Sequence, residues 1–372
     1  MTSPASRRRR SSGSRGTAWP RPYLLLVLLA VLLAGCALQP APPSLPPPPA
    51  TSTPTGRPSP SPQTTATPSP QPTPTAPIPT TLPLPTPSGE EPPGFLWRIV
   101  GGTGGRPGLP RGMDVGPDGR LYVADEWAGL LVISPTGEIL TTFETGGAGD
   151  VQAADGTLYL ALPGAHAVLV LSPEGEVLGR WGEAGSGEGQ FGLSSPEHLA
   201  VCPDGRIYVA DLNECPDGST CERIQVFSAE GRFLAAWNLS EIDPAFLVSG
   251  MDCGDDGRLY LLGAVGGYIL VLDGEGRHLE DLGREALAGS VPQGLALGPA
   301  GEIVVGTWGG QVLRLDSQGK RRAAWGEPWS GVGVPAAGQF AIVQDVAVDS
   351  SGHIYVSDWG GGYAGITRFS FP

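Results

Sequence analysis

From Gly94 to Pro372 short apolar runs recur with a period of two, the spacing of a half-buried strand. Leu121-Tyr-Val-Ala-Asp125, Ile207-Tyr-Val-Ala-Asp211, Leu259-Tyr-Leu-Leu262 and Ile354-Tyr-Val-Ser-Asp358 are the clearest. A turn pair ending in glycine precedes each such run: Asp118-Gly119, Asp155-Gly156, Asp204-Gly205, Asp256-Gly257, Ala300-Gly301 and Ser351-Gly352. A second x-Gly turn follows in five of the six segments, at Gly137, Gly175, Gly231, Gly276 and Gly319. Such turns need a positive φ, which glycine adopts without steric penalty, so x-Gly between alternating runs predicts a hairpin.

Each segment therefore predicts four antiparallel strands, a to d, with d ending in an aromatic residue. The first glycines lie 37, 49, 52, 44 and 51 residues apart. Four-stranded repeats of this length are the signature of a β-propeller, so the fold class is all-β with six blades. The sixth segment stops at Ile366-Thr-Arg-Phe-Ser-Phe371 without a strand d, and the domain opens on Gly94-Phe-Leu-Trp-Arg98, a strand d without a blade. The N-terminal strand is expected to complete the last blade, which removes an open sheet edge.

The repeat resembles the NHL family. Pro110-Arg-Gly-Met-Asp-Val-Gly-Pro-Asp-Gly-Arg-Leu-Tyr-Val-Ala-Asp125 and Pro196-Glu-His-Leu-Ala-Val-Cys-Pro-Asp-Gly-Arg-Ile-Tyr-Val-Ala-Asp211 carry the likeness, with Val346–Trp359 close behind. Segments 2, 4 and 5 lack the Asp after strand b. The resemblance implies the propeller and says little about function, because such propellers serve many roles.

Composition divides the chain further. Of 40 prolines, 22 fall between Pro40 and Pro93. Residues 36–93, rich in Pro, Thr and Ser, bury too little surface to offset chain entropy and are expected to be a disordered stalk. Residues 1–35 carry six Arg, no acid and the apolar run Leu24–Ala34, too short for a comfortable span but suited to a signal peptide. The run ends in Leu33-Ala34-Gly35-Cys36, which resembles the lipobox of bacterial lipoproteins. That resemblance implies lipidation at Cys36, export and attachment to a membrane through the lipid. The expected domains are thus 1–35 signal peptide, 36–93 stalk and 94–372 propeller. Without its leader the chain has 17 basic and 37 acidic residues, which argues against nucleic acid as a partner.

In a propeller the b–c and d–a loops share one face. Here they are the long ones, 101–110, 182–195, 212–222, 238–248, 326–343 and 359–365, so any site is expected there. Trp127, Trp308, Trp329 and Trp359 lie in or beside these loops and could grip a protein or a glycan. Trp97, Trp181, Trp237 and Trp325 recur at the ends of strands d and read as packing between blades. Asp125, Asp211 and Asp358 end strands b and read as caps of their own loops.

The a strands offer Arg111, Asp150, Glu197 or His198, Ser249, Gln293, and Gln344 or Asp345 to the central channel, and Arg111, Glu197 and His198 join the tryptophans in the candidate binding face. Lactonase- and lyase-like six-bladed propellers resemble this layout and hold a divalent metal there. On that alternative Asp150, Glu197 and Asp345 would ligate calcium. No three-histidine zinc set can be assembled, and on the main reading the domain is a non-enzymatic, monomeric binding module with no cofactor. Cys202, Cys215, Cys221 and Cys253 are an even number in an exported domain, which predicts two disulfides. Cys215 and Cys221 bracket a short loop and are paired. Cys202 and Cys253 then sit at nearly equivalent places in adjacent blades, one residue out of phase.

Overall fold

The structure is a computed structural model that describes residues 94–101, 107–193, 195–214, 220–331 and 333–370. The leader, Cys36 and the stalk expected over 36–93 lie outside the described residues. Among the described residues no helix is long and apolar enough to cross a membrane.

Six four-stranded antiparallel sheets form the domain. Blade 1 is Pro110–Val115, Leu121–Asp125, Gly129–Ile133 and Ile139–Phe143. Blade 2 is Asp150–Ala154, Thr157–Leu162, Ala167–Leu171 and Val177–Trp181. Blade 3 is Leu199–Val201, Ile207–Glu214, Thr220–Phe227 and Phe233–Asn238. Blade 4 is Val248–Cys253, Leu259–Gly263, Ile269–Leu272 and His278–Leu282. Blade 5 is Pro292–Leu297, Ile303–Thr307, Val312–Leu315 and Arg321–Trp325. Blade 6 is Ile342–Val348, Ile354–Gly360 and Tyr363–Phe369, completed by Phe95–Val100 from the other end of the domain. The expected closure is present in register, from Phe95 opposite Phe369 to Val100 opposite Gly365.

The core lies between the blades. Each of six apolar clusters draws on two neighbours; one joins Tyr122, Leu130 and Val132 of blade 1 to Val151, Leu158 and Leu160 of blade 2. Another joins Leu121 and Val123 of blade 1 to Ala347, Tyr355 and Ile366 of blade 6. Burial on both faces explains why strands b and c read as nearly continuous apolar runs.

The outer-strand aromatics pack as expected, and they explain the second set of turn glycines. A Cβ on Gly231, at φ +81°, would strike the Trp181 ring of the preceding blade. Gly276 stands in the same relation to Trp237, Gly137 to Trp97 and Gly175 to Phe143. The Trp181 ring also lies 4.2 Å from that of Phe227. Glycine is thus required there twice over, by backbone conformation and by the aromatic lid.

Two expected loops are corrected. Residues 212–214, 220–222, 359–360 and 363–365 are strand, because the b–c hairpins of blades 3 and 6 run on to Glu214 and Thr220 and to Gly360 and Tyr363. These blades stand opposite each other in the ring. The d–a connection before each also carries a short parallel pair, Glu183–Ala184 with Gln190–Phe191 and Glu327–Pro328 with Gln339–Phe340.

Candidate functional site

The innermost strand of every blade is a sheet edge, with one row of N–H groups facing the channel. Buried N–H groups need acceptors, and aspartates supply them here. Asp150 Oδ1 accepts from its neighbour Val151 (2.8 Å) and Oδ2 from Leu199 of blade 3 (2.9 Å). Asp345 Oδ2 accepts from Met113 of blade 1 (2.7 Å), and its carboxylate also from Val346. Two residues deeper, Asp114 bonds Val115 and Ala153 of blade 2 (2.7 and 2.8 Å). Asp252 bonds Cys253 and Leu297 of blade 5 (2.7 and 2.8 Å). One carboxylate therefore staples two blades at four junctions: 1–2, 2–3, 4–5 and 6–1. Junction 3–4 is held instead by the Cys202–Cys253 disulfide, with Cα atoms 5.2 Å apart. The one-residue offset between these cysteines suits a link between neighbouring strands. Cys221 is also disulfide-bonded; Cys215, its expected partner, lies outside the described residues.

Confinement shapes the acidity of these groups. Burial pushes Asp114 up to about 7, Asp150 to about 8 and Asp252 to about 6, against the pull of the N–H donors. Burial, and then repulsion from Asp150, likewise raises Asp345.

Around the mouth stand Arg111, Glu197 and His198. Arg111 pairs with Glu126 (2.7 Å). Glu197 keeps an exposed surface, but the channel walls crowd it; burial raises its pKa and Arg111 opposes the rise. Burial, helped by Arg111, lowers His198 to about 4, so its imidazole is neutral near pH 7. Glu222 of the blade 3 hairpin is buried, accepts from the Val248 N–H (3.4 Å) and is pushed to about 8, chiefly by burial and then by Glu197.

The structure thus brings Asp150 and Asp345 together but leaves Glu197 apart, with Arg111, Glu126 and Glu222 among its charged neighbours. Among the described residues no group of three His, Cys, Asp or Glu is arranged to hold a metal ion. The aspartate pair fits calcium poorly, since its oxygens already serve backbone donors.

Asp125, Asp211 and Asp358 are loop organisers. Asp125 accepts four backbone N–H bonds, from Gly108, Leu109, Trp127 and Ala128 (2.7–3.0 Å). Asp211 takes the Gly192 N–H and the Arg223 guanidinium. Arg223 reaches on to the carbonyls of Ser186, Gly187 and Gln190. On the opposite side Asp358 takes the Ala341 N–H, and Arg98 holds the carbonyls of Pro335, Ala336 and Gln339. The long loops are thereby pinned to the blades.

On this pinned rim sit exposed apolar side chains. Trp127 is 62% exposed and Leu193 60%, with Trp308 and Val334 also exposed. All four lie in b–c or d–a connections, and none of the exposed large apolar residues lies in the tight turns of the other face. Trp329 and Trp359 are half-buried; the Trp329 ring lies 5.5 Å from that of Tyr363. The four tryptophans singled out from the sequence therefore divide, two into solvent and two into packing.

Sequence reasoning passed over Asp114, Asp252 and Glu222. The tripeptide Gly-Met-Asp, repeated at 112–114 and 250–252, carried the signal for the first two.

No family model matches the sequence, and no curated protein does. Solved structures with the same fold include a streptogramin B lyase (15% identity, TM-score 0.52, covering 74% of this chain and 87% of that one). Virginiamycin B lyase from Staphylococcus aureus is similar (13%, TM-score 0.50, 74% and 99%). So is a Bacteroides thetaiotaomicron protein of unknown function (14%, TM-score 0.54, 73% and 76%). At such identities the likeness establishes the fold alone.

Proposed function

We propose that this chain is a lipid-anchored, extracytoplasmic binding protein that presents the long-loop face of its propeller to a protein or glycan of the cell envelope. The observation that carries the reading is the exposure of Trp127, Trp308, Leu193 and Val334 on pinned loops of one face. Large apolar groups held rigid on a rim lose little entropy on docking.

The direction of the chain supports the same reading. Gly94 sits beside Ser370, at the tight-turn end of blade 6. The residue that opens the propeller is thus attached at the end of blade 6 away from the rim.

The test is retention of envelope components by the full chain, wild type against Trp127→Ala/Trp308→Ala. The reading expects a specific component lost with the tryptophans. Equal retention by both proteins overturns it. Calcium-dependent turnover that disappears with Asp150→Asn would establish the enzyme instead.

A further inference from the structure

Blades 3 and 6 share one loop device, and the two copies differ where the loop meets the hairpin. Each blade is preceded by Trp-Gly-Glu, at 181–183 and 325–327, and each run leads to Gln-Phe, at 190–191 and 339–340. The Gly185 N–H donates to the Phe191 carbonyl (3.0 Å) and the Trp329 N–H to the Phe340 carbonyl (2.9 Å). Further on, the Gly192 N–H reaches Asp211 and the Ala341 N–H reaches Asp358. Gly185 and Trp329 therefore hold the same position. Across the b–c hairpins Asn213 pairs with Cys221, just beyond Asp211, and Gly360 pairs with Tyr363, just beyond Asp358. Cys221 thus corresponds to Tyr363, and Glu214 to Gly361.

In blade 6 the Trp329 indole closes the gap between loop and hairpin. Its ring centroid lies 5.5 Å from that of Tyr363, and a Cβ on Gly361 would meet it at 3.0 Å. In blade 3 both rings are missing. Between the same two walls lies an open groove of about 1020 Å³, lined by Gly185, Leu193, Asn213, Glu214, Cys221 and Asn238 among others. The groove does not open through Gly185 itself. A Cβ there would strike the Gln190 amide, which is held by the Gly187 N–H and by Glu183. The space lies over the hairpin and is reached from solvent.

Its walls are fixed before any guest arrives. Arg223 holds the carbonyls of Ser186, Gly187 and Gln190, and the Gln225 amide donates to Gln190 as well (2.7 Å). A preformed groove leaves little of the protein's own freedom to be lost on binding. Leu193 is 60% exposed, whereas its counterpart Ile342 is half-buried in strand a of blade 6. The groove also has a sign. Arg223 is spent on Asp211 and the loop carbonyls, and among the described residues no cation pairs with the exposed Glu214 carboxylate.

We propose that the groove of blade 3 receives an aromatic side chain of a partner protein, flanked by a Lys or Arg that meets Glu214, in the place that Trp329 fills in blade 6. The ring would cover Leu193 and lie against the disulfide sulfur of Cys221. The inference rests on the reading of the domain as a binding module and narrows its partner to a protein.

The probes are tryptamine, an indole with a positive charge, indole-3-propionate, an indole with a negative one, and methyl glucoside. Each is titrated into the full chain at constant ionic strength and followed by saturation-transfer NMR of the ligand. The proposal expects saturable transfer to tryptamine, affinity about threefold above that of indole-3-propionate, and no transfer to the glucoside. Glu214→Gln should erase the preference between the two indoles. Ala236→Trp, at an exposed position that lines the groove, should weaken both indoles. Trp127→Ala/Trp308→Ala should change neither, so the groove can fail while the rim stands, and the reverse. Absence of indole transfer in the wild type overturns the proposal, as does binding that ignores both groove variants. Saturable transfer to the glucoside alone would give the groove to a glycan. Dissociation of a dimer of the chain by tryptamine would give it to a second copy; either result overturns the protein partner. The wild-type comparison decides even if Ala236→Trp does not fold.

Discussion

The channel wall and the loop rim lie at the same end of the molecule, and both are built from residues that read as chemistry. The wall gathers Asp114, Asp150, Asp252 and Asp345, the rim Trp127, Trp308, Leu193 and Val334. Their surroundings assign them opposite work. Every wall carboxylate accepts N–H groups from two blades, so its oxygens complete the ring. Trp127 and Leu193 leave more than half of their surface in water, and their loops are already fixed by Asp125 and Asp211. Acidic residues converging in a channel are thus no sign of catalysis until their hydrogen bonds have been counted, whereas an apolar group left in solvent on a fixed loop has no internal work to do.

Substitutions can break this contrast, and the wall should give the largest losses of stability. The Cys202–Cys253 bridge spans a sequence separation of 51 and holds junction 3–4, one of the two that lack an aspartate. Cys202→Ser/Cys253→Ser should cost about 3–4 kcal/mol in denaturant unfolding, since the unfolded chain gains the freedom of a long loop. A change below about 1 kcal/mol would mean that packing alone holds blades 3 and 4 together. Asp345→Ala should follow at about 2–3 kcal/mol, because the Met113 and Val346 N–H groups lose their acceptor in a buried place.

Acidity gives the next effect, and its sign is unusual. Asp114, Asp150, Asp252 and Glu222 have folded values of about 6 to 8, above those of free carboxyls, so folding takes up protons. Their contribution is fully present below about pH 4 and is lost as pH rises through the folded values. His198, lowered to about 4, works the other way between about pH 4 and pH 6.5, but it is one group against four. The melting temperature should therefore fall between about pH 5 and pH 8, on the order of 5 °C in calorimetry. A rise over that range would show the wall carboxylates to be ionised in the folded protein. Asp150→Asn should flatten the slope.

The architecture was legible in the sequence because it is written in local terms. Asp-Gly and x-Gly turns fixed the hairpins, their spacing fixed six blades, and the orphan strand at Phe95 found its place at Phe369. The extended hairpins of blades 3 and 6 were not legible, since Leu212–Glu214 and Thr220–Glu222 carry polar residues that read as loop. The roles of the wall residues were only half legible. Asp150 and Asp345 could be placed at the channel, but their partners, Leu199 and Met113, belong to other blades. A bond between residues far apart in sequence leaves no periodic mark. For the same reason Trp127 and Trp329 look alike in the sequence and differ in the fold, where Tyr363 shelters the second.

The rim should show the smallest change in stability and the largest in binding. Trp127→Ala/Trp308→Ala should stay within about 0.5 kcal/mol of the wild type, because neither side chain belongs to the core. The measurement that tests the account most directly is the affinity of the full chain for the envelope component it retains, wild type against this pair, with unfolding checked in the same preparation. The account predicts a loss of about tenfold or more at unchanged stability. Undiminished affinity in the tryptophan pair, with loss instead in a folded Asp150→Asn protein, would contradict it.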